Sequence, residues 1–518
     1  MKGEYSTMYD CILINPRSIY FSVGERKNPY LYTGTLSIAT VLQTNGYRAR
    51  VIDMVALDDP IAALEQYVGK YSQELLLIGF SVMTSQIPHA LMLTKYLKQK
   101  YPRIPIIWGG IHAALYPESI LKNGLVDFVC TGEGEFSTLE LLARLKSEKK
   151  EFGDVNGICF IKDGNIVHTP PQECHSLDDI PFFDYELIDY PEYKTKSFTK
   201  VSGQSISVTY GTVLTGIGCP YKCTFCINSN KKLYLGKFRH KSAKRVVDEI
   251  EFLINKHGIT YFDLIDENFF ANKKRVFEFI DLVKSRKLSF HWFTNIRADY
   301  FRPNYITREV MQALKEIGCF RLGIGAESGS PKILKKIKKE ITPDDLIHSA
   351  MILRDTGIDT SYSFMMGIPG EMKEDIVATI GLIQKLAGLS RDNFYFIGPQ
   401  IYRPYPGGEL FEECVTHYNY QPPATLEEWQ TVLNFFTGYE TIDNMPWVTD
   451  KDFINMISFY TDFMNTNVKS LKINAIKKLL LSIMKSISAF RLKHNFWSLK
   501  IEMRIILSYK KLRLHQKQ

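Results

Sequence analysis

Between residues 9 and 145, short apolar stretches of strand length take turns with longer stretches of helical period, and the alternation starts again after about residue 205. This pattern leaves few folds open. A strand that returns parallel to its predecessor needs a crossover of helix length, and the crossover helices then cover both faces of the sheet. In the first series the predicted strands are Cys11–Asn15, Tyr47–Met54, Leu75–Ser81, Ile104–Trp108 and Phe128–Cys130, with helical spans such as Leu36–Gln43 and His89–Lys98 between them. The expectation is an α/β fold with a doubly wound parallel sheet over residues 1–150. Ligands of such sheets lie outside the carboxyl ends of the strands. Those ends read Asn15-Pro16, Ser81–Thr84, Gly109-Gly110-Ile111-His112 and Gly132-Glu133-Gly134-Glu135, all polar or glycine-rich.

The second series predicts strands near Ser207–Thr215, Tyr261–Ile265, Phe290–Asn295, Phe320–Gly325, Thr360–Met366 and Phe394–Pro399. Six strand-helix units over 205–408 make an open or partial barrel, with chemistry expected at the loops that follow the strands. Residues 151–204 read as a hairpin and linker, because Ile158–Ile161 and Ile166–Thr169 flank an Asp163-Gly164 pair, a strong hairpin signal. Residues 409–518 read as mostly helical with a basic tail.

Composition excludes several classes. Of 518 residues 45% are hydrophobic and 23% charged, and no apolar run approaches the roughly 20 residues that span a bilayer. The first residues lack the apolar core of a secretion signal, so a cytoplasmic location is expected. Nine cysteines, six scattered and three packed into eight residues, do not form a disulfide framework. The net charge of +8 is uneven: thirteen Lys or Arg face one acid, Glu502, from Phe463 onward.

The packed cysteines lie in Gly216-Ile217-Gly218-Cys219-Pro220-Tyr221-Lys222-Cys223-Thr224-Phe225-Cys226, spaced Cys-x3-Cys-x2-Cys. Thiolates this close in sequence can wrap one soft metal centre. Three of them leave one iron of a [4Fe–4S] cluster open to a ligand; a structural zinc with a fourth ligand elsewhere, or three unrelated thiols, are the plainer readings. The segment resembles the radical S-adenosylmethionine (SAM) superfamily, in which three such cysteines with an aromatic before the last, here Phe225, hold a [4Fe–4S] cluster whose open iron binds SAM. The resemblance extends along the chain. Asp266-Glu267-Asn268-Phe269 resembles the motif that meets the SAM amino group, and is otherwise a solvated helix start. Gly323-Ile324-Gly325-Ala326-Glu327-Ser328-Gly329-Ser330 resembles the ribose motif, and Met366-Gly367-Ile368-Pro369-Gly370-Glu371 the loop whose backbone approaches adenine. The family's barrel is a partial (β/α)6, TIM-like one. No second cysteine cluster follows it, so no auxiliary cluster is expected.

The first module resembles the flavodoxin-like cobalamin-binding domain that precedes the radical domain in the cobalamin-dependent class. Ser81, Thr84, Gly109, Gly110, His112, Gly132 and Glu133 are its candidate cofactor contacts, and Pro404-Tyr405-Pro406-Gly407-Gly408 resembles the close of that class's radical domain. The Asp-x-His-x-x-Gly motif that gives cobalt a lower histidine ligand is absent, and His112 reads as a loop residue lining the crevice. The plainer reading is a doubly wound domain that only shapes a substrate site.

The resemblance implies a methyltransferase acting on an unactivated carbon of a small molecule or natural product through a 5'-deoxyadenosyl radical and methylcobalamin, with an external electron donor such as flavodoxin or ferredoxin. A cyclase or rearrangement enzyme of the same class, a radical SAM enzyme without cobalamin, and a non-catalytic metal-binding protein are the alternatives. Catalytic side chains beyond the cofactor residues are not identified. No nucleic-acid-reading motif is found. Ala475–Phe490 forms a basic amphipathic helix; such helices contact anionic membranes or acidic partners, or, more commonly, pack on their own protein with a solvated face.

Overall fold

The computed structural model describes residues 9–20, 31–55, 57–148, 150–188, 197–201, 204–230, 238–303, 305–389, 393–435, 442, 444–465 and 474–506. The chain divides into two compact units. One comprises Met1–Thr294, Tyr405–Val415 and Gln421–Thr441, the other Asn295–Pro404, Thr416–Tyr420 and Ile442–Gln518.

In the first unit, β1 (Cys11–Asn15), β2 (Ala49–Asp53), β3 (Leu77–Ser81), β4 (Ile106–Gly109) and β5 (Phe128–Cys130) run parallel in the order β2-β1-β3-β4-β5. This is the flavodoxin-like order the sequence implies, with a topological switch point between β1 and β3. Ile12, Leu13, Ile14, Leu77 and Ile78 are all buried. A sheet covered on both faces needs continuous apolar runs, not alternation, and these strands supply them. Trp108 on β4 is fully buried, and its Nε1 donates to Thr94 Oγ1 at 3.1 Å on the helix Ile87–Lys100, which satisfies the indole's one polar atom.

The hairpin read as a connector extends this sheet. Strands β6 (Ile158–Lys162) and β7 (Asn165–His168) add antiparallel beyond β5, with Phe128 opposite Phe160 and Val129 opposite Cys159. Asp163 and Gly164, at φ 51° and 78°, supply the left-handed turn that the pair signals. The predicted strand Ser207–Thr215 is two strands. After β8 (Ser197–Val201), its antiparallel partner β9 (Gln204–Val208) stops before Thr209, whose N–H donates to Thr260 Oγ1 at 3.0 Å; the parallel strand β10 (Tyr210–Leu214) follows.

A short antiparallel pair, β11 (Gly216–Ile217) and β12 (Arg239–His240), comes next; β13 (Tyr261–Ile265) then lies parallel between β10 and β14 (His291–Ile296). The helix Ala243–His257 is capped by Ser242, whose Oγ accepts from Arg245 N at 3.1 Å, and ends at Gly258 in the left-handed region. Leu426, Trp429 and Leu433, from the helix Leu426–Phe435, join the core of the N-terminal sheet.

In the second unit, β15 (Cys319–Glu327), β16 (Asp359–Met366) and β17 (Phe394–Ile401) are parallel, with a register shift between Gly325 and Glu327. All six strands expected of the second series are therefore formed. The helices Lys451–Asn465 and Ala475–Lys493 pack together. Arg491 and Leu492 are buried, whereas Ile476, Leu479, Leu480 and Ile483 are exposed. The expected basic helix thus packs one side on its own protein and turns much of its apolar stripe outward. Residues 466–473 and 507–518 of the tail lie outside the described residues.

Candidate functional site

A cavity of about 280 Å³ opens at the carboxyl ends of β1, β3, β4 and β5. Leu13, Phe80 and Ile107 of the first sheet line one side, and Leu214, Ile217, Ile265 and Glu267, at the ends of β10, β11 and β13, line another. The cavity lies wholly within the first unit. It joins the switch point of the doubly wound sheet to the strands that lead into the cysteine loop.

Of the residues expected at a cofactor, Ser81, Gly109, Gly110, Gly132 and Glu133 line this cavity. Gly110 has φ 89°, and a Cβ there would stand 2.8 Å from Val82 N, so only glycine fits. Thr84 and His112 are not among the lining residues. The short helix Ile111–Leu115 turns His112 inward, where it is fully buried, meets Thr84 Oγ1 at 3.2 Å through Nδ1 and packs edge-on against Trp429. Burial lowers its pKa to about 3, so it is a neutral core histidine and not the crevice residue expected from sequence.

Three carboxylates face the cavity. Glu133 pairs with Arg239 of β12, whose Nη1 also donates to the His175 carbonyl at 2.5 Å. Glu135 stands at the same strand tip, in the Gly132-Glu133-Gly134-Glu135 segment, but is not among the candidate cofactor contacts of the sequence. It accepts from Ser37 Oγ at 2.7 Å, and burial raises its pKa. Glu267 can be reached by water yet is enclosed by protein at longer range. That desolvation, with Asp266 adding to it, pushes its carboxyl up to about 7.

Asp266 and Glu267 are adjacent but placed differently. Asp266 is buried; its Oδ2 accepts from Thr215 Oγ1 at 3.0 Å and Arg275 Nη1 at 3.2 Å, and its Oδ1 from Asn268 N at 2.8 Å. Expected to meet the SAM amino group, Asp266 instead holds the loop, and Glu267 is the one of the pair that faces the cavity. A Cβ on Gly216 would lie 2.5 Å from Asp266 Oδ2, which explains a glycine at the start of β11.

The cysteine loop follows β11 with Gly218 at φ 80°. Cys226 N donates to the Cys223 carbonyl at 3.0 Å, and Leu410 N to the Thr224 carbonyl at 2.9 Å, so the loop is pinned both within itself and from Gly408-Glu409-Leu410. Cys223 is buried, while Cys219 and Cys226 are partly exposed. Asn268 Nδ2 lies 3.8 Å from Cys219 Sγ. Among the described residues no three His, Cys, Asp or Glu side chains gather around a single metal ion. A four-iron cluster does not ask for that, because each thiolate takes a different iron. The Thr224 hydroxyl, between two of the cysteines, is buried without a hydrogen-bond partner among the described residues, a polar group that a bound cluster and its ligand would satisfy. Three thiolates with such an orphan fit a cluster with one open iron. Of the other cysteines Cys174 is partly exposed, while Cys11, Cys130, Cys159, Cys319 and Cys414 are buried; burial raises the Cys130 and Cys159 thiols to about 11.

In the second unit, Glu327 sits at the register shift of β15 with φ 62°, and its Oε1 accepts from Lys339 Nζ at 2.8 Å. A non-glycine residue held there is strained backbone, a feature that gathers at ligand sites. Ser328 Oγ pairs with Thr379 Oγ1 at 3.1 Å. Gly367 N and Ile368 N both donate to Glu371 Oε2, at 2.6 and 3.2 Å, and the Gly367 carbonyl accepts from Trp447 Nε1 at 2.8 Å. Glu371 Oε1 is buried without a partner among the described residues, and burial pushes the carboxyl up to about 7 from its ordinary 4.5. The folded chain therefore holds a proton at Glu371 that the unfolded chain releases between those values. The stability this contributes is fully present below pH 4.5 and is lost as pH rises through about 7. Glu371→Gln is expected to flatten this part of the stability profile, read by urea unfolding at intervals across the same window.

Comparison with known proteins agrees with this arrangement. Residues 23–142 match the model of the B12 binding domain and residues 213–383 that of the radical SAM superfamily. An uncharacterized methyltransferase of Pyrococcus horikoshii is 29% identical over 371 residues, 71% of this chain and 75% of that protein. A cytidylyl-2-hydroxyethylphosphonate methyltransferase of Streptomyces wedmorensis is 25% identical over 512 residues, 89% of this chain and 91% of its own. The fold is also that of the cobalamin-dependent SAM radical enzyme OxsB, solved with aqua-cobalamin and SAM bound, at TM-score 0.65 and 19% identity over 98% of this chain and 75% of that one. The chain thus carries a B12 binding domain followed by a radical SAM domain.

Proposed function

We propose that the protein is a cobalamin-dependent methyltransferase acting on an unactivated carbon of a small molecule. The observation that carries this reading is the cavity shared by the switch point of the N-terminal sheet and the strands leading into the cysteine loop. In this reading Cys219, Cys223 and Cys226 hold a [4Fe–4S] cluster, and Phe225 and Glu267 in the first unit, with Glu327, Ser328, Gly367 and Ile368 in the second, are assigned to SAM on their motifs. Ser81, Gly109, Gly110, Gly132 and Glu133 are assigned to cobalamin. When bound, these groups supply hydrogen-abstracting radical chemistry and a methyl carrier that no side chain provides.

The chain's own part is positioning. The apolar walls exclude water, the Asn268 amide faces Cys219 Sγ, and Arg239 fixes Glu133 at the cavity rim. Glu267, with its carboxyl near 7, can hold or release a proton inside the cavity at neutral pH. An external one-electron donor, flavodoxin or ferredoxin in kind, is part of the proposal. The Pyrococcus and Streptomyces relatives are both called methyltransferases and match 71% and 89% of this chain, whereas a relative called an anaerobic magnesium-protoporphyrin IX monomethyl ester cyclase, 27% identical, matches 63% of it; the longer matches support methylation, with ring closure as the second reading.

The test needs no known substrate. Protein reconstituted anaerobically with iron, sulfide and cobalamin, then given methyl-labelled SAM and a reductant, is expected to yield labelled corrinoid on extraction. Absence of label from the corrinoid, with 5'-deoxyadenosine still formed, would contradict methyl transfer while leaving the radical domain standing.

A further inference from the structure

We propose that the outward stripe of the helix Ala475–Lys493, with the segment after it, is a docking surface for an anionic lipid membrane. The helix carries two apolar sides. Leu492 is buried and Leu481 and Met484 are half-buried on the side that faces its own unit. Ile476, Leu479, Leu480, Ile483 and Phe490 recur at spacings of three, four and seven residues, so they fall on one stripe of a 3.6-residue helix, and all are exposed. Ile476 is 71% exposed, Leu479 62% and Leu480 57%, values unusual for residues of this kind. After the helix Phe496, Leu499, Ile501 and Ile505 are exposed as well.

An exposed apolar surface of this extent marks an interaction site, and its charge indicates the partner. From Asn474 to Ile506 there are seven Lys or Arg and one acid, Glu502, and that acid is spent on Arg491, whose Nη2 is 3.0 Å from its Oε2. Lys477 and Lys493, both exposed, lie to either side of the stripe on a helical projection. Apolar side chains flanked by long basic ones, with carboxylates nearly absent, match a surface of anionic headgroups over acyl chains: the stripe enters the acyl boundary and the lysines reach the headgroups. A protein partner would need an acidic rim around an apolar groove; a second copy of this basic segment would set like charges face to face. No helix among the described residues is long and apolar enough to cross a membrane, so the contact is with the membrane surface. The proposal is independent of the chemistry assigned to the cofactor cavity.

The test is co-sedimentation of the full chain with vesicles of phosphatidylcholine, alone or with about a third phosphatidylserine, in low and high salt. Binding is expected to be at least about tenfold stronger with phosphatidylserine and to weaken with salt. The variant Leu479→Ser/Leu480→Ser/Ile483→Ser is expected to lose at least about tenfold in affinity, and Lys477→Glu/Lys493→Glu to lose the preference for anionic lipid, each with unchanged unfolding temperature because the replaced side chains are exposed. Equal affinity for both vesicle types, or binding unaffected by the serine variant, would overturn the proposal. So would failure to bind by a chain that sediments as a dimer and becomes monomeric on the serine changes, since the stripe would then be covered by a second copy.

Discussion

Alanine at Cys219, Cys223 or Cys226 is expected to reduce cluster iron and 5'-deoxyadenosine formation to background, while alanine at Cys159 or Cys414 leaves both unchanged. The contrast follows from where the thiols sit. The three cysteines of the Cys-x3-Cys-x2-Cys segment share one loop with a partly exposed face, whereas Cys159 and Cys414 are buried apart from it, and burial raises the Cys159 thiol to about 11. A cluster held by three thiolates has no spare ligand, so loss of one is not made good by the other two. Iron content and 5'-deoxyadenosine should fall together; loss of the second with iron intact would mean that the replaced cysteine is not a ligand.

The second large effect is on stability and concerns a residue assigned to no cofactor. Arg275→Ala is expected to cost about 3–5 kcal/mol, because Asp266 would be left as a buried carboxylate without its cation. Both side chains are almost fully buried, Arg275 Nη2 also donates to the Thr215 carbonyl at 2.9 Å, and the guanidinium lies over the Phe269 ring. Urea unfolding measures the loss. The double variant Asp266→Asn/Arg275→Met, which removes the stranded charge, should recover part of it, and a cycle of the two changes separates the pair's coupling from lost packing. If Arg275→Ala cost less than about 1 kcal/mol, the pair would be as weak as a surface bridge and could not be what holds the loop beside the cysteines.

Where function rests on local pattern, the sequence is informative. Strands β1, β5 and β13 begin and end at the predicted residues, because a buried parallel strand is a bounded apolar run. The Cys-x3-Cys-x2-Cys loop is contiguous, so its chemistry is legible from residue spacing. What distance controls is hidden. His112 follows a Gly-Gly turn and reads as a crevice residue, but Trp429, more than three hundred positions on, packs against its ring. Asp266 and Glu267 are indistinguishable as a motif, and Thr215, some fifty positions back, with Arg275 on the following helix decides which is consumed by the fold. The break at Thr209 falls among β-branched residues that all favour strand, and is set by Thr260. Glu135 does carry a local signal, since it opens the helix Gly134–Lys146 beside a glycine-rich strand tip.

The central claim is that one chain carries both a cluster and a corrinoid, joined through the cavity between β1, β3 and the strands that lead into the cysteine loop. Iron and corrinoid content of the same anaerobically reconstituted, gel-filtered sample tests it most directly. About four irons and about one cobalamin per chain are predicted, with the iron alone lost in the cysteine variants. Four irons with no retained corrinoid, or one zinc in place of the irons, would contradict it.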